Sequence, residues 1–355
     1  MSMHARHPTD GRHASLVSTS SYVPEREITN DALRDRFCRS APGFVDKMEA
    51  SSGIRTRFWA PDSWATSDLA LPAARLALER ASLTPADVDH VVGGTDSPYY
   101  PTPSTSVVLQ HKLGATHAGT FDVGCACASF PTAVAAAAGL MAMQPRLANV
   151  LVVGAYMMHR LADPDDPMVF FYGDGAGAVV LRAASEPGVL GATFRADGSY
   201  AKHWGIFSGG TAEPATAASV REGRTRVRML EKYPDEVNEE GWPALVRALA
   251  EENAFDVAAV DHAVFTQVRA LTIERVMARL SLPLERAPMT MGKWGYTGSA
   301  CIPMALDDAV SAGRVHDGDL VVMVGSGVGY NQAALAVRAT AALVGARARR
   351  APCAS

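Results

Sequence analysis

The chain lacks the features that mark several large classes of protein. Lys and Arg number 33 against 37 Asp and Glu, a formal net charge of −4, and no basic block is long enough for a nucleic-acid footprint. The five cysteines (Cys38, Cys125, Cys127, Cys301 and Cys353) are an odd number scattered over 355 residues, which is no disulfide scaffold. Cys125 and Cys127 have no second cysteine pair or His pair to complete a metal site. The opening MSMHARHPTDGRH lacks the apolar segment of a leader peptide, and no run reaches the ~18 apolar residues of a membrane span. The expectation is a protein without metal, nucleic-acid or membrane partners in a reducing cytoplasm. Residues 1–13 and 346–355 are polar and read as disordered ends, which leaves Cys353 without a role.

What the chain does have is material for a large core. It is 48% hydrophobic and 20% charged, with a mean hydropathy of +0.03, enough for two domains or one duplicated unit. An internal echo favours duplication. VDHVVGG begins at Val88 and VDHAVFT at Val260, 172 residues on (260 − 88). NVLVVGA ends near Gly154 and LVVMVGS near Gly325, 171 on (325 − 154), and AVVLRA (178–183) returns as ALAVRA (334–339). Offsets of half a chain mean a repeated domain rather than a solenoid. Apolar strands alternate with helices such as 67–81 and 241–254, an α/β pattern. The halves are placed at 14–185 and 186–345.

Cys127 lies in FDVGCACASFPTAVAAAAGLMAM (121–143). The apolar run Thr120–Val123 reads as a buried strand, followed by a turn of small residues and an uncharged Ala-rich helix with Pro131 in its first turn. A cysteine there faces free N–H groups and the positive end of the helix dipole, which lower a thiol pKa and can hold an oxyanion. The alternative is a small apolar core cysteine. Three glycine turns accompany it. FYGDGAGAVVL (171–181) is followed by a strand, not the helix a phosphate loop needs. KWGYTGSACIPMAL (293–306) leads into a second helix, and VGSGVGY (324–330) lets backbone approach a ligand closely.

The segments 53–58, 95–130, 152–200, 293–303 and 324–330 occur in an order that resembles the ketoacyl-acyl-carrier-protein synthase III family of the thiolase superfamily. The resemblance runs from about Ala14 to Ala342. It implies a five-layered αβαβα thiolase fold of two duplicated halves and a homodimer without a bound cofactor. It also implies a cysteine that takes an acyl group from acyl-CoA or an acyl carrier protein. Cys127, not Cys125, aligns with that nucleophile, and the backbone N–H groups of Cys127 and Gly327 align with the oxyanion hole.

Two positions depart from the family. Thr266 stands where the resemblance places a His, and Tyr296 where it places an Asn, with matching flanks on both sides. Those donors hold the enolate formed when a malonyl thioester loses CO₂, and losing one oxyanion donor costs about 3 kcal/mol. Acyl loading needs only the thiolate and the oxyanion hole. The expectation is therefore an acyltransferase that passes an acyl group from Cys127 to an alcohol, amine or activated carbon, in secondary metabolism. A carbon–carbon condensing enzyme using Thr266 and Tyr296 is the alternative, and a non-catalytic partner of an active ketosynthase is another. His203 is the candidate acid or base, ahead of His159 and His262. Lys47, Ser51 and Leu271 fall where the family has its CoA-binding Trp and two Arg, so Arg269 and Lys293 become the candidate cations for the donor. Thr102 aligns with a residue that caps the partner subunit's acyl pocket.

Overall fold

A computed structural model describes residues 12–346. From the N-terminus, β1 (His13–Tyr22) precedes β2 (Arg26–Thr29), α1 (Asn30–Phe37), α2 (Phe44–Ser52) and β3 (Thr56–Trp59), which pairs with β2. Next come α3 (Thr66–Arg80), β4 (His90–Gly94), α4 (Thr105–Leu113), β5 (Gly119–Val123), α5 (Ser129–Met143), β6 (Asn149–Tyr156) and β7 (Gly175–Ala184). Beyond lie β8 (Val189–Ala196) and the ribbon of β9 (Trp204–Gly205) and β10 (Arg228–Met229), with α6 (Ala217–Arg221) between its strands. The chain closes with α7 (Glu236–Glu252), β11 (His262–Phe265), α8 (Ala270–Leu280), α9 (Met291–Trp294), α10 (Cys301–Ser311), β12 (Leu320–Gly327), β13 (Asn331–Arg338) and α11 (Ala341–Ala346).

Two sheets carry the echoed segments. The first has the order β1-β7-β6-β4-β5 and the second β8-β13-β12-β11. In each, a parallel pair (β4 with β6, β11 with β12) is followed by an antiparallel return strand (β7, β13). Strand periodicity sorts side chains to opposite faces. In β6, Val150 and Val152 face α5, while Leu151 and Val153 face α3. In β12, Val321 and Met323 face the centre, while Leu320, Val322 and Val324 face α7 and α8. Strands covered on both faces read as unbroken apolar runs. The result is five layers: α3 and α4, the first sheet, α5 and α10, the second sheet, then α7 and α8.

Three expectations are corrected. Ala126–Met143 does have the length and apolar composition of a membrane span, but 56% of it is buried, and it forms the central layer of this fold. The strand at Thr120–Val123 is the half-buried edge of its sheet rather than a buried strand. At the ends, His13 opens β1 and Ala346 closes α11, while the rest of 1–13 and 346–355, with Cys353, lies almost wholly outside the described residues.

The two halves are locked by close backbone contacts. A Cβ on Gly154, at the end of β6, would lie 2.5 Å from the carbonyl oxygen of Ser299, just before α10. A Cβ on Gly325, near the end of β12, would lie 2.7 Å from Ala128 Cα, just before α5. Each sheet thus ends in a glycine that seats the start of the other half's central helix. A buried charge pair adds to this. Asp307 on α10 accepts from Arg80 (2.6 Å), Thr19 (2.8 Å) and Ser21 (2.6 Å) of the first half. Asp307→Ala leaves the buried Arg80 guanidinium uncompensated and should cost about 3–5 kcal/mol in chemical denaturation. A loss below about 1 kcal/mol would show that the pair does not hold the halves together.

Candidate active site

Cys127 sits in a tight turn between β5 and α5. Ala126 has φ +48°, a left-handed conformation unusual for a residue with a Cβ. The Cys125 N–H donates to Ser129 Oγ (2.9 Å), and Gly327 presses so close that a Cβ there would lie 2.1 Å from the Cys125 carbonyl oxygen. The nucleophile turn is therefore clamped between the two halves. Cys127 is 4% exposed and lines a cavity of about 550 Å³, together with Asp96, Tyr156, Tyr296 and Gly327.

Tyr296 stands directly over the thiol. Its Oη is in hydrogen-bond contact with Cys127 Sγ. The Tyr296 N–H donates to the Phe171 carbonyl (2.9 Å), and its own carbonyl accepts from the Gly173 N–H (2.9 Å), so a first-half loop fixes this second-half side chain. Burial pushes the Tyr296 phenol well above its ordinary range, and Cys127 and Tyr156 add to this, so it is a neutral O–H donor. Burial likewise pushes the Cys127 thiol up; the Asp96 carboxylate and Cys301 add to the rise, and the Tyr296 hydroxyl opposes it. At a helix start a lowered thiol pKa is expected. Here withdrawal from water outweighs the helix dipole, and the resting group is a thiol.

Other predicted residues separate. Gly327 and Arg269 line the cavity, and Arg269 pairs with Asp235 at 2.7 Å. Burial raises the Asp235 carboxyl, but the Arg269 guanidinium outweighs that and holds it below its usual range. Thr266 does not line the cavity: its Oγ1 accepts from the Ser326 N–H (3.0 Å), tying β11 to β12. Lys293 points outward to Asp308 and over the Trp294 ring. His203 lies one layer back, against Tyr200 and Tyr233, with Nε2 3.6 Å from Glu231; Tyr233 takes the wall position instead. Thr102 is exposed and off this chain's cavity wall. His159 pairs with Asp174 (2.6 Å) and His262 with Asp319 (3.2 Å), and among the described residues no histidine lines the cavity. Among the described residues, no cluster of His, Cys, Asp or Glu could hold a metal ion.

Several wall residues were not read from the sequence. Asn238 of α7 accepts from Ser326 Oγ (2.8 Å). Asp96 follows β4 by two residues, and burial pushes its carboxyl up to about 7 against hydrogen bonds that include Ser299. Its position was the available signal, because ligands in α/β folds gather beyond the carboxyl ends of parallel strands.

Comparison with known proteins places the chain in a family. The family model for 3-oxoacyl-[acyl-carrier-protein (ACP)] synthase III matches residues 121–198, and that for its C-terminal part matches 250–339. The acetoacetyl CoA synthase NphT7 of Streptomyces sp. (strain CL190) is 33% identical over 320 residues, covering 88% of this chain and 95% of that protein. The chain belongs to the 3-oxoacyl-acyl-carrier-protein synthase III family of the thiolase superfamily, whose members are acyl-transferring and condensing enzymes. Its fold is similar to that of FabH, the 3-oxoacyl-(acyl carrier protein) synthase III of Pseudomonas aeruginosa PAO1, with TM-score 0.82, 28% identity and 92% and 98% of the two chains covered. It is also similar to the priming beta-ketosynthase of a polyketide biosynthetic pathway, with TM-score 0.84, 28% identity and 93% and 97% covered.

Tyr296→Phe removes the hydrogen bond to the sulfur without emptying the site. A hydrogen bond to a charged group contributes about 1.5–3 kcal/mol, so alkylation of Cys127 by iodoacetamide at neutral pH should slow about 10- to 100-fold. Its pH profile should move to higher pH, as followed on the Cys127 peptide by mass spectrometry. An unchanged rate would show that the phenol does not support the thiolate.

Proposed function

We propose that the protein is an acyltransferase that takes an acyl group from acyl-CoA or an acyl carrier protein onto Cys127. It passes that group to a small alcohol, amine or activated carbon without decarboxylating a malonyl unit. The observation that carries this reading is the Tyr296 hydroxyl on Cys127 Sγ in a cavity that no described histidine lines. The position of one enolate donor is filled by a phenol on the sulfur, and that of the other, Thr266, serves the backbone. In loading, the Cys127 sulfur attacks the thioester carbonyl, the C–S bond to the donor breaks, and the thiol proton leaves with the donor's sulfur. The N–H groups of Cys127 and Gly327 hold the oxyanion formed in between.

The rest of the cavity supports such a donor. Lys47 and Lys232 are exposed at its rim and Arg269 lines its wall, cations suited to a phosphopantetheine arm or an acidic carrier protein. Phe44, Met48, Met168 and Phe171 offer an apolar wall to an acyl chain. No cofactor enters the chemistry. A homodimer in which Thr102 reaches the partner's pocket completes the proposal, as does a place in secondary metabolism beside enzymes such as the similar priming ketosynthase. The four free cysteines among the described residues suit a cytoplasmic enzyme. Carbon–carbon condensation is the second reading, favoured by the similarity to an acetoacetyl CoA synthase. A non-catalytic partner subunit is disfavoured, because a scaffold has no use for a clamped cysteine at the base of a cavity.

Intact-mass spectrometry after incubation with acyl-CoA and acyl-carrier-protein donors tests the reading. Wild type should gain one acyl group, Cys127→Ala none, and malonyl thioesters should release no CO₂. The absence of any adduct, or one surviving Cys127→Ala, would sink acyl transfer through this cysteine. CO₂ release matching acyl consumption would establish condensation instead.

A further inference from the structure

The cavity holds a second reactive group that loading leaves unused. Asp96 lies on its wall, and its Oδ2, shielded from solvent, has no hydrogen-bond partner. The carboxyl's side-chain partner is Ser299, at a long 3.4 Å to Oδ1, and that hydroxyl is better engaged with the Ala155 carbonyl (2.7 Å). The hydroxyl of Tyr156, also on the wall and fully buried, is likewise without a partner. Buried polar groups are nearly always paired, and each unpaired one carries a desolvation penalty. Two such groups beside one nucleophile mark a place where a ligand supplies the missing bonds.

Other candidates for this work are occupied. Asp235, the other wall carboxylate, is held by Arg269 (2.7 Å) and Lys232 (3.8 Å). The thiol is engaged with Tyr296, so Asp96 is not its hydrogen-bond partner.

We propose that Asp96 is the general base for the acyl acceptor, taking its proton on Oδ2 while the Tyr156 hydroxyl orients it. This inference rests on acyl transfer through Cys127. The acceptor oxygen or nitrogen attacks the acyl-Cys127 carbonyl as Asp96 removes its proton. The tetrahedral intermediate then collapses with cleavage of the C–S bond. The proton on Asp96 passes to the departing sulfur, and thiol and carboxylate are restored. The acceptor class follows from charge. Asp96 favours a neutral O–H or N–H group and repels an anionic one, including the carboxylate of a malonyl unit. A carboxyl near pH 7 is matched to base catalysis at neutral pH.

The test uses acyl-enzyme prepared from acetyl-, butyryl- and octanoyl-CoA, with water and dilute ethanol as acceptors. Wild-type decay should rise with pH through about 7 and level off as Asp96 ionises. Asp96→Asn should load at least as fast, because the carboxylate that raises the Cys127 thiol is gone, and decay about 100-fold more slowly without that inflection, since general-base catalysis contributes 10²–10⁴-fold. Hydroxylamine, which needs no base, should cleave both acyl-enzymes equally, and Asp96→Glu should recover part of the pH dependence. Wild-type decay in Asp96→Asn overturns the proposal. A folded Asp96→Asn that does not load also overturns it, by moving Asp96 to the first step. No adduct on wild type with any donor overturns the acyltransferase reading, and this inference with it. If Asp96→Asn does not fold, Asp96→Ser replaces it, with the same outcomes.

Discussion

The close approach of backbone at Gly154 and Gly325 is the constraint on which the site depends. Each glycine ends a central strand of one half and receives the start of the opposite half's central helix, with no room for a Cβ. A side chain at either position would force apart the two helix starts that define the cavity base, and cores answer such overpacking by shifting backbone. Because of this interlock, neither half owns a complete site. Cys127 comes from the first half and is clamped by Gly327 of the second. Tyr296 comes from the second half and is held by the Phe171–Gly173 loop of the first. The duplicated fold works here as a device for placing two side chains from distant sequence in contact.

Burial decides the chemistry of that contact. In a water-excluded site a thiolate beside a carboxylate is unfavourable, so the resting pair is a thiol and a neutral phenol. Charge then has to develop during reaction, where the phenol O–H can follow it. A hydrogen-bond donor with no charge of its own stabilises a transient anion without making a permanent one. The phenol on the sulfur therefore supports the nucleophile directly, while Thr266 is spent on the backbone.

Much of this was legible in the sequence, for physical reasons. The repeated Gly154 and Gly325 were visible because close approach admits no other residue, and the strand runs around them because layers on both faces demand unbroken apolar stretches. Cys127 stood out because strand, turn and helix signals converge on it, and Gly327 through the family resemblance; both lie on the cavity wall. The failures are equally physical. Thr266 and Lys293 were assigned from position along the chain, whereas their partners, the Ser326 N–H and Asp308, are set by packing. His203 was displaced by one layer because Tyr233, distant in sequence, takes the wall. Asp96 falls within a segment that carried the family resemblance but was not singled out, because only burial makes its carboxyl unusual.

The distribution of charge along the cavity ties donor and acceptor chemistry together. Cations gather toward the entrance, with Lys47 and Lys232 exposed and Arg269 fixed by Asp235, while the one unpaired carboxylate on the wall, Asp96, stands near the buried thiol. In the proposed loading step, an acyl donor whose negative charge lies on its phosphates, far from the reactive carbonyl, would enter with anion against cation and a neutral acyl end inward. A malonyl donor carries a second negative charge at the end that must go deepest, where Asp96 opposes it. Coulomb repulsion between such charges is weakly screened once water is excluded. In the acyl transfer proposed above, this gradient favours a neutral acyl group over the extender that decarboxylative condensation requires.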